Sequence, residues 1–173
     1  MHGQKRHTNQ TYTKRVDHEA GQHRTKRAMP EPAVCELCGD VYADRRWSKP
    51  DLARRSAKHP NFRPATQVVC PACQCQREGV PSGYVHLDGE FFSAHKEEIE
   101  RLIHNETERA GEDNPLARLM KWEKDRKGRL TVTTTTEHLA QRLGRALEKA
   151  YDGKVRYDFS HENKLAHVYW HRD

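Results

Sequence analysis

Four cysteines stand in two tight pairs, Cys35-Glu36-Leu37-Cys38 and Cys70-Pro71-Ala72-Cys73. A two-residue gap lets both thiolates of a pair reach one ion from a single turn, and two such turns supply the four corners of a tetrahedron that suits Zn2+. Gly39 frees the backbone to turn away from the metal, and Pro71 stiffens the second turn while carrying no amide hydrogen to satisfy. The interval of 31 residues between Cys38 and Cys70 exceeds the common spacings, so the intervening segment reads as an insertion in a zinc ribbon. Cys75 is a fifth thiol, either free or exchanging with Cys73 as ligand; the regular gap from Cys70 favours Cys73. Four thiolates close the metal shell, which points to a structural rather than a catalytic ion. Neither pair reads as strand, Cys-x-x-Cys, helix, the setting of thiol-disulfide exchange, and this too favours metal.

A second set of residues has the chemistry of nucleic-acid contact, which needs cations for phosphates and flat groups for bases. Arg45-Arg46-Trp47 and Arg54-Arg55-x-x-Lys58 lie inside the insertion. Trp47 serves there either as a stacking ring or, more in keeping with a small core, as packing. Lys5, Arg6, Lys14, Arg15, Arg24, Lys26 and Arg27 face only Asp17 and Glu19 in residues 1–29, so most of the formal net charge of +6 is loaded at this end. That distribution suits a polyanion, or else a solubilising tail.

Other constellations carry less. The 12 histidines include no His-Glu-x-x-His, and His95, His104 and His138 read as helix surface. The run Thr133 to Thr136 precedes a helix but offers no glycine for a phosphate cradle, so strand and N-cap explain it. Glu97, Glu98 and Glu100 read as a solvated face.

These groups need scaffolding from a polar chain: 34% of residues are hydrophobic and the mean hydropathy is -1.10. Such a composition cannot offset the backbone entropy of ordering every residue, about 1–2 kcal/mol each, so disordered stretches and a metal staple are expected. Residues 1–29 lack an apolar period and read as a flexible basic arm; 30–89 as the zinc ribbon with its insertion, where Pro50 could open a short helix through Lys58; 90–128 as a helical segment; and 129–173 as a strand-helix-strand-strand domain. In the helical segment, Ser93 is the expected N-cap of a helix through about Arg109, and Asn114-Pro115 the start of a shorter one carrying Leu116, Leu119 and Met120. In the last third, Leu130, Val132 and Thr134 alternate as a strand, and Thr136 caps a helix with Leu139, Leu143 and Leu147 on one stripe. Val155, Tyr157 and Phe159 share a face of the next strand; after the turn 161–163, Ala166, Val168 and Trp170 share a face of the last. The fold class is therefore α+β: a disordered basic arm, a four-cysteine zinc ribbon, two helices and a C-terminal β-α-β-β unit. A parallel pairing of the first two strands of that unit would give a right-handed crossover.

Several stretches together resemble a known family: Val34-Cys35-x-x-Cys38-Gly39-x-Val41-Tyr42, Arg46-Trp47, Cys70-Pro71-x-Cys73, Gly79-x-Pro81-x-Gly83-Tyr84-Val85, and Thr133-Thr134-Thr135 before His138-Leu139-Ala140. They look like the short bacterial relatives of the zinc-binding nuclear export adapter of the large ribosomal subunit, a family whose name is also linked to nonsense-mediated mRNA decay. The likeness runs from about Glu31 to Trp170. It implies a non-enzymatic zinc protein directed at RNA or the ribosome. With the charge bias and the ribbon, the expectation is that arm and ribbon bind ribosomal or other structured RNA through phosphates. The C-terminal unit would then dock on a ribosomal or other protein or on the ribosome, with dormant or stressed ribosomes as a narrower expectation. A zinc-ribbon module acting on DNA or in transcription is the alternative. An enzyme would need a titratable pair in a pocket, which the residues do not suggest. No apolar run approaches the ~20 residues of a membrane span, no apolar core follows the basic N-terminus as in a secretory signal, and the cysteine pattern is not a disulfide framework. A cytoplasmic location is expected; the oligomeric state is left open.

Overall fold

The computed structural model describes residues 29–51, 66–160 and 164–173. The expected basic arm with Lys5, Arg6, Lys14, Arg15, Arg24, Lys26 and Arg27 therefore lies outside the described residues, as do Arg54, Arg55, Lys58 and the turn 161–163.

The described residues form two mixed sheets and four helices, an α+β fold. The small sheet holds β1 (Ala33–Cys35), β2 (Val41–Ala43), β3 (Arg46–Ser48) and β4 (Thr66–Val68) in the order β3-β2-β1-β4. After it come α1 (Pro71–Glu78), β5 (Gly83–Asp88), α2 (Glu90–Ala94), α3 (Lys96–Asp113), β6 (Leu119–Lys124), β7 (Leu130–Thr134), α4 (Glu137–Tyr151), β8 (Lys154–Ser160) and β9 (Leu165–His171). The large sheet runs β6-β7-β5-β9-β8.

Alternation builds one face of the large sheet. Val85 and Leu87 of β5, Leu130 and Val132 of β7, and Ala166, Val168 and Trp170 of β9 are buried, and they meet Ile99 and Ile103 of α3 and Leu139, Leu143 and Leu147 of α4. Burying each such side chain stabilises the fold by about 1.5–3 kcal/mol. The cap expected at Thr136 forms, its hydroxyl accepting the Leu139 amide at 3.3 Å. Asp152, at φ 55°, ends α4, and its carbonyl takes the Trp170 indole hydrogen at 2.8 Å.

Several expectations change. The C-terminal strands do not form a sheet by themselves: β7 and β8 are separated by β5 and β9, and β5 pairs antiparallel with β7 and parallel with β9. β5 is thus the central strand of this sheet. Its short run, with only Val85 and Leu87 as aliphatic residues, left it looking like an appendage of the cysteine segment. The helix expected from Pro115 is a turn followed by strand β6. Asn114 Oδ1 accepts the Leu116 amide at 3.0 Å, and Thr135 Oγ1 takes the Arg118 amide at 2.9 Å, so these amides bond outside any helix. Ser93 is not an N-cap; it lies inside α2, and the long helix begins at Lys96 after His95. The short helix expected from Pro50 falls almost wholly outside the described residues.

Helix α4 packs tightly on the sheet at Gly144. A Cβ there would meet Val168 Cγ1 at 2.5 Å and the Tyr157 ring at 3.1 Å. Replacing Gly by Ala favours a helix by about 1 kcal/mol, but overpacking a closed core costs about 1–3 kcal/mol, and Val168 is fully buried. Gly144→Ala should therefore lower stability in urea unfolding despite the better helix former.

Candidate metal centre

The backbone brings the two cysteine pairs together through one strand pairing. β1 lies parallel to β4 with Cys35 opposite Val68, so the start of the first pair and the approach to the second travel side by side. Beyond Cys35 the chain folds into a knuckle. Gly39, at φ 80°, donates its amide to the Cys35 carbonyl at 2.9 Å, and the Cys35 amide bonds the Asp40 carbonyl at 2.8 Å. A left-handed φ favours glycine at this turn, and the chain leaves it as β2.

The second pair differs from expectation. Cys70 is the N-cap of α1, with Pro71 in the first turn, and Cys70 Sγ accepts the Cys73 amide at 3.4 Å. Strand β4, Cys-x-x-Cys and helix α1 do follow one another here, so the absence of that arrangement is no argument against thiol-disulfide chemistry. The argument for metal rests on geometry. One sulfur from each of Cys35, Cys38, Cys70 and Cys73 lies within 4.8 Å of the other three. Cys38 and Cys70 Sγ are 3.7 Å apart. A tetrahedron with metal–sulfur bonds of about 2.3 Å has edges of about 3.8 Å, whereas a disulfide would need about 2.05 Å. The four residues are placed to hold one metal ion.

The local electrostatics agree. Burial pushes the Cys70 thiol far up, and the neighbouring Cys38 and Cys35 sulfurs add to it. Burial likewise pushes Cys38 up to about 11, against the Arg118 guanidinium and the Asp40 amide. At Cys35 burial also opposes ionisation, but amides of Cys70, Cys38 and Leu37 outweigh it and bring the thiol down to about 7. Four crowded sulfurs cannot all ionise unaided; a divalent cation among them removes the conflict.

Arg118, just before β6, reaches back over this cluster. One guanidinium nitrogen donates to Cys73 Sγ at 3.3 Å; the other donates to Cys38 Sγ at 3.2 Å and to Asp40 Oδ2 at 2.6 Å. Burial works against its charge, but the thiols outweigh that and hold it protonated. Sequence reasoning missed this residue, because nothing in the spacing ties position 118 to a cysteine 80 residues earlier. Cys75 is resolved as a bystander: it is fully buried on α1, with Sγ toward the Thr135 carbonyl at 3.8 Å, outside the four-sulfur cluster.

The cationic candidates separate. Arg45 and Arg46 are exposed on the β2–β3 hairpin, whose turn residues Asp44 and Arg45 sit at φ 52° and 60°. Trp47 is 6% exposed and packs with Cys35, Cys70 and Cys73, its ring 5.4 Å from that of Tyr42. Its indole faces are out of reach of a base, so packing is its role. The threonine run is also committed to structure: Thr134 Oγ1 donates to the Thr136 carbonyl at 2.8 Å, and Thr133 Oγ1 accepts the Lys121 amide at 3.0 Å. Glu97 and Glu98 are exposed.

Away from the helices, the large sheet carries a ring cluster that sequence reasoning also missed. Tyr84 stacks on His167 at 4.6 Å and His86 on Tyr169 at 4.5 Å, and a ring nitrogen of His86 lies 3.1 Å from one of His167. The Arg156 guanidinium covers Tyr169 at 4.2 Å. Burial, together with His167 and Arg129, lowers the His86 pKa and favours its neutral form. The signal was present in the alternation of Tyr84, His86 and Asp88, and of His167, Tyr169 and His171, once β5 and β9 are known to be neighbours.

Removing Arg118 strips two sulfurs of a charged donor and leaves Asp40, 5% exposed, without its partner. Arg118→Ala should cost about 2–4 kcal/mol in urea unfolding of the metal-loaded protein and weaken metal affinity about 10–100-fold in chelator competition. Arg118→Lys, a point charge with a shorter reach, should fall between the two.

Comparison with protein-family models, with curated proteins and with solved structures found no match.

Proposed function

We propose that this chain is a non-enzymatic, cytoplasmic zinc protein that binds RNA, with ribosomal RNA as the favoured target. Four thiolates at tetrahedral spacing suit Zn2+ better than hard cations, which take oxygen ligands. With all four positions filled by sulfur, no corner is open for water or substrate, so the ion's task is to hold shape. The observation that carries the reading is what this shape presents: a hairpin anchored beneath by Trp47, with Arg45 exposed at its turn and Arg46 exposed at the start of β3, where its guanidinium also reaches the Asp113 carbonyl at 3.5 Å. Guanidinium groups on a fixed hairpin suit phosphate contact.

Two further features support the same reading. The cation-rich residues 1–29 precede β1 in the chain, and further cations on the same chain strengthen attraction to a polyanion. The resemblance to bacterial relatives of a ribosomal export adapter points in the same direction. The large sheet then serves as the part that meets a ribosomal protein, and ribosomes of stationary or stressed cells are its narrower target. Among the described residues no helix is long and apolar enough to cross a membrane.

Low-salt gradient sedimentation of lysates from growing and stationary cells should place the protein with ribosomes or RNA, and RNase should release it. Binding to purified ribosomal RNA should weaken with salt, and Arg45→Ala/Arg46→Ala should reduce the slope of log affinity against log salt by about 1–2, with metal content unchanged. Migration free of RNA in every lysate contradicts the proposal. Retention on duplex DNA with little affinity for RNA would replace it with a DNA-directed reading.

A further inference from the structure

The four sulfurs are not equally accessible. Cys35, Cys70 and Cys73 are 2%, 0% and 7% exposed, whereas Cys38 is exposed at the tip of the knuckle. Beside it opens a cleft of about 590 Å³ whose walls include Cys38, Asp40, Lys49, Glu108, Glu112 and Arg118. A small polar solute can enter this cleft and meet one ligand sulfur while the other three stay covered. Cys38 Sγ lies 3.2 Å from the Arg118 guanidinium and 3.3 Å from Asp40 Oδ2, and Lys49 stands on the cleft wall.

We propose that Cys38 is a modification site for small hydroperoxides, and that its oxidation ends in a Cys38–Cys70 disulfide with release of the metal. The inference rests on the zinc reading above. In the first step the Cys38 thiolate attacks the peroxide: a sulfur–oxygen bond forms, the oxygen–oxygen bond breaks, and hydroxide leaves. Sulfur is oxidised to the sulfenic acid and the peroxide is reduced. In the second step the Cys70 thiolate, whose Sγ lies 3.7 Å from that of Cys38, attacks the oxidised sulfur. The sulfur–sulfur bond forms, the sulfur–oxygen bond breaks, and a second hydroxide leaves. Two thiolates and one hydrogen peroxide thus become one disulfide and two hydroxides, which the buffer acid protonates to water. Only Cys35 and Cys73 then remain as ligands, and the ion departs hydrated.

Arg118 sets the rate of the first step. Its hydrogen bond to Cys38 Sγ, 3.2 Å, ties up sulfur electron density that the attack requires, so the guanidinium protects the thiolate it holds. It also carries the consequence of oxidation outward. The same residue bonds Cys73 and Asp40 in the metal module and, through its amide, Thr135 beside the large sheet. Withdrawing Cys38 removes one of these anchors. Cys75 supplies an internal comparison, being fully buried and away from the cluster.

The test uses the full chain loaded with one equivalent of Zn2+, with loading verified by elemental analysis. Hydrogen peroxide is added, zinc release is followed with a chromophoric chelator, and samples are alkylated and mapped by mass spectrometry. Cys38 should be the first thiol lost, one zinc should leave per Cys38–Cys70 disulfide, and Cys75 should stay reduced. In Arg118→Ala, Cys38 oxidation should accelerate roughly threefold to tenfold; in Cys75→Ser the wild-type rate should persist. Oxidation of Cys35, Cys70 or Cys73 ahead of Cys38, or zinc loss while Cys38 remains alkylatable, overturns this inference alone. A chain that cannot be loaded with zinc overturns the zinc reading and this inference with it.

Discussion

Four cysteine sulfurs lie within 4.8 Å of one another, three of them on buried residues. Thiols crowded in this way meet two opposing demands. Burial and mutual repulsion keep protons on Cys38 and Cys70, while the amides aimed at Cys35 Sγ and Cys70 Sγ favour negative sulfur. A divalent cation satisfies both, because each ionised sulfur then faces two positive charges. The polar composition makes that bond matter mechanically. The small sheet consists of three-residue strands, and among the described residues the buried cluster around it comprises Trp47, Leu116, Ala72, Cys35, Cys70 and Cys73. A core of that size needs a staple.

From the four-cysteine cluster, specific contacts lead outward to the large sheet. With a divalent ion among four thiolates, Arg118 would offset part of the excess negative charge. Its amide and the Leu116 carbonyl are both held by Thr135 Oγ1, while the Thr135 carbonyl faces the Cys75 thiol. Thr135 thus stands where α1, the 114–118 turn and the end of β7 converge. The second link is covalent: α1, whose first turn carries Cys70 and Cys73, runs through a short loop into β5, the middle strand of the large sheet. Among the described residues, a chain segment, the Arg118 guanidinium and Thr135 thus join the four-cysteine module to the large sheet, and Arg46 adds a bond to the Asp113 carbonyl at the end of α3.

Legibility in the sequence followed the range of the interactions. The four ligands, the cap at Thr136, the apolar stripe of α4 and the buried face of β9 all depend on residues a few positions apart, and each was readable from spacing. The helix anticipated at Asn114-Pro115 shows where local reading stops. Asn114 does make a cap-like bond and its carbonyl takes the Ala117 amide, but the Arg118 amide is claimed by Thr135 from across the fold, and tertiary partners outweigh a weak local preference. β5 was underrated for a related reason. Its worth comes from two neighbours, β7 and β9, that lie far along the chain. Arg118 and the Tyr84–His86–His167–Tyr169 cluster were invisible for the same cause. Cys70 marks the opposite error, since a proline after the first cysteine was read as stiffening a turn, although proline in a helix's first turn is as favourable.

The central claim is that one ion joins Cys35, Cys38, Cys70 and Cys73. X-ray absorption spectroscopy on the purified chain, with elemental analysis of the same sample, tests it most directly. The account predicts one zinc per chain surrounded by a single shell of four sulfurs at about 2.3 Å. A chain purified without divalent metal, or a shell dominated by nitrogen and oxygen, would contradict it.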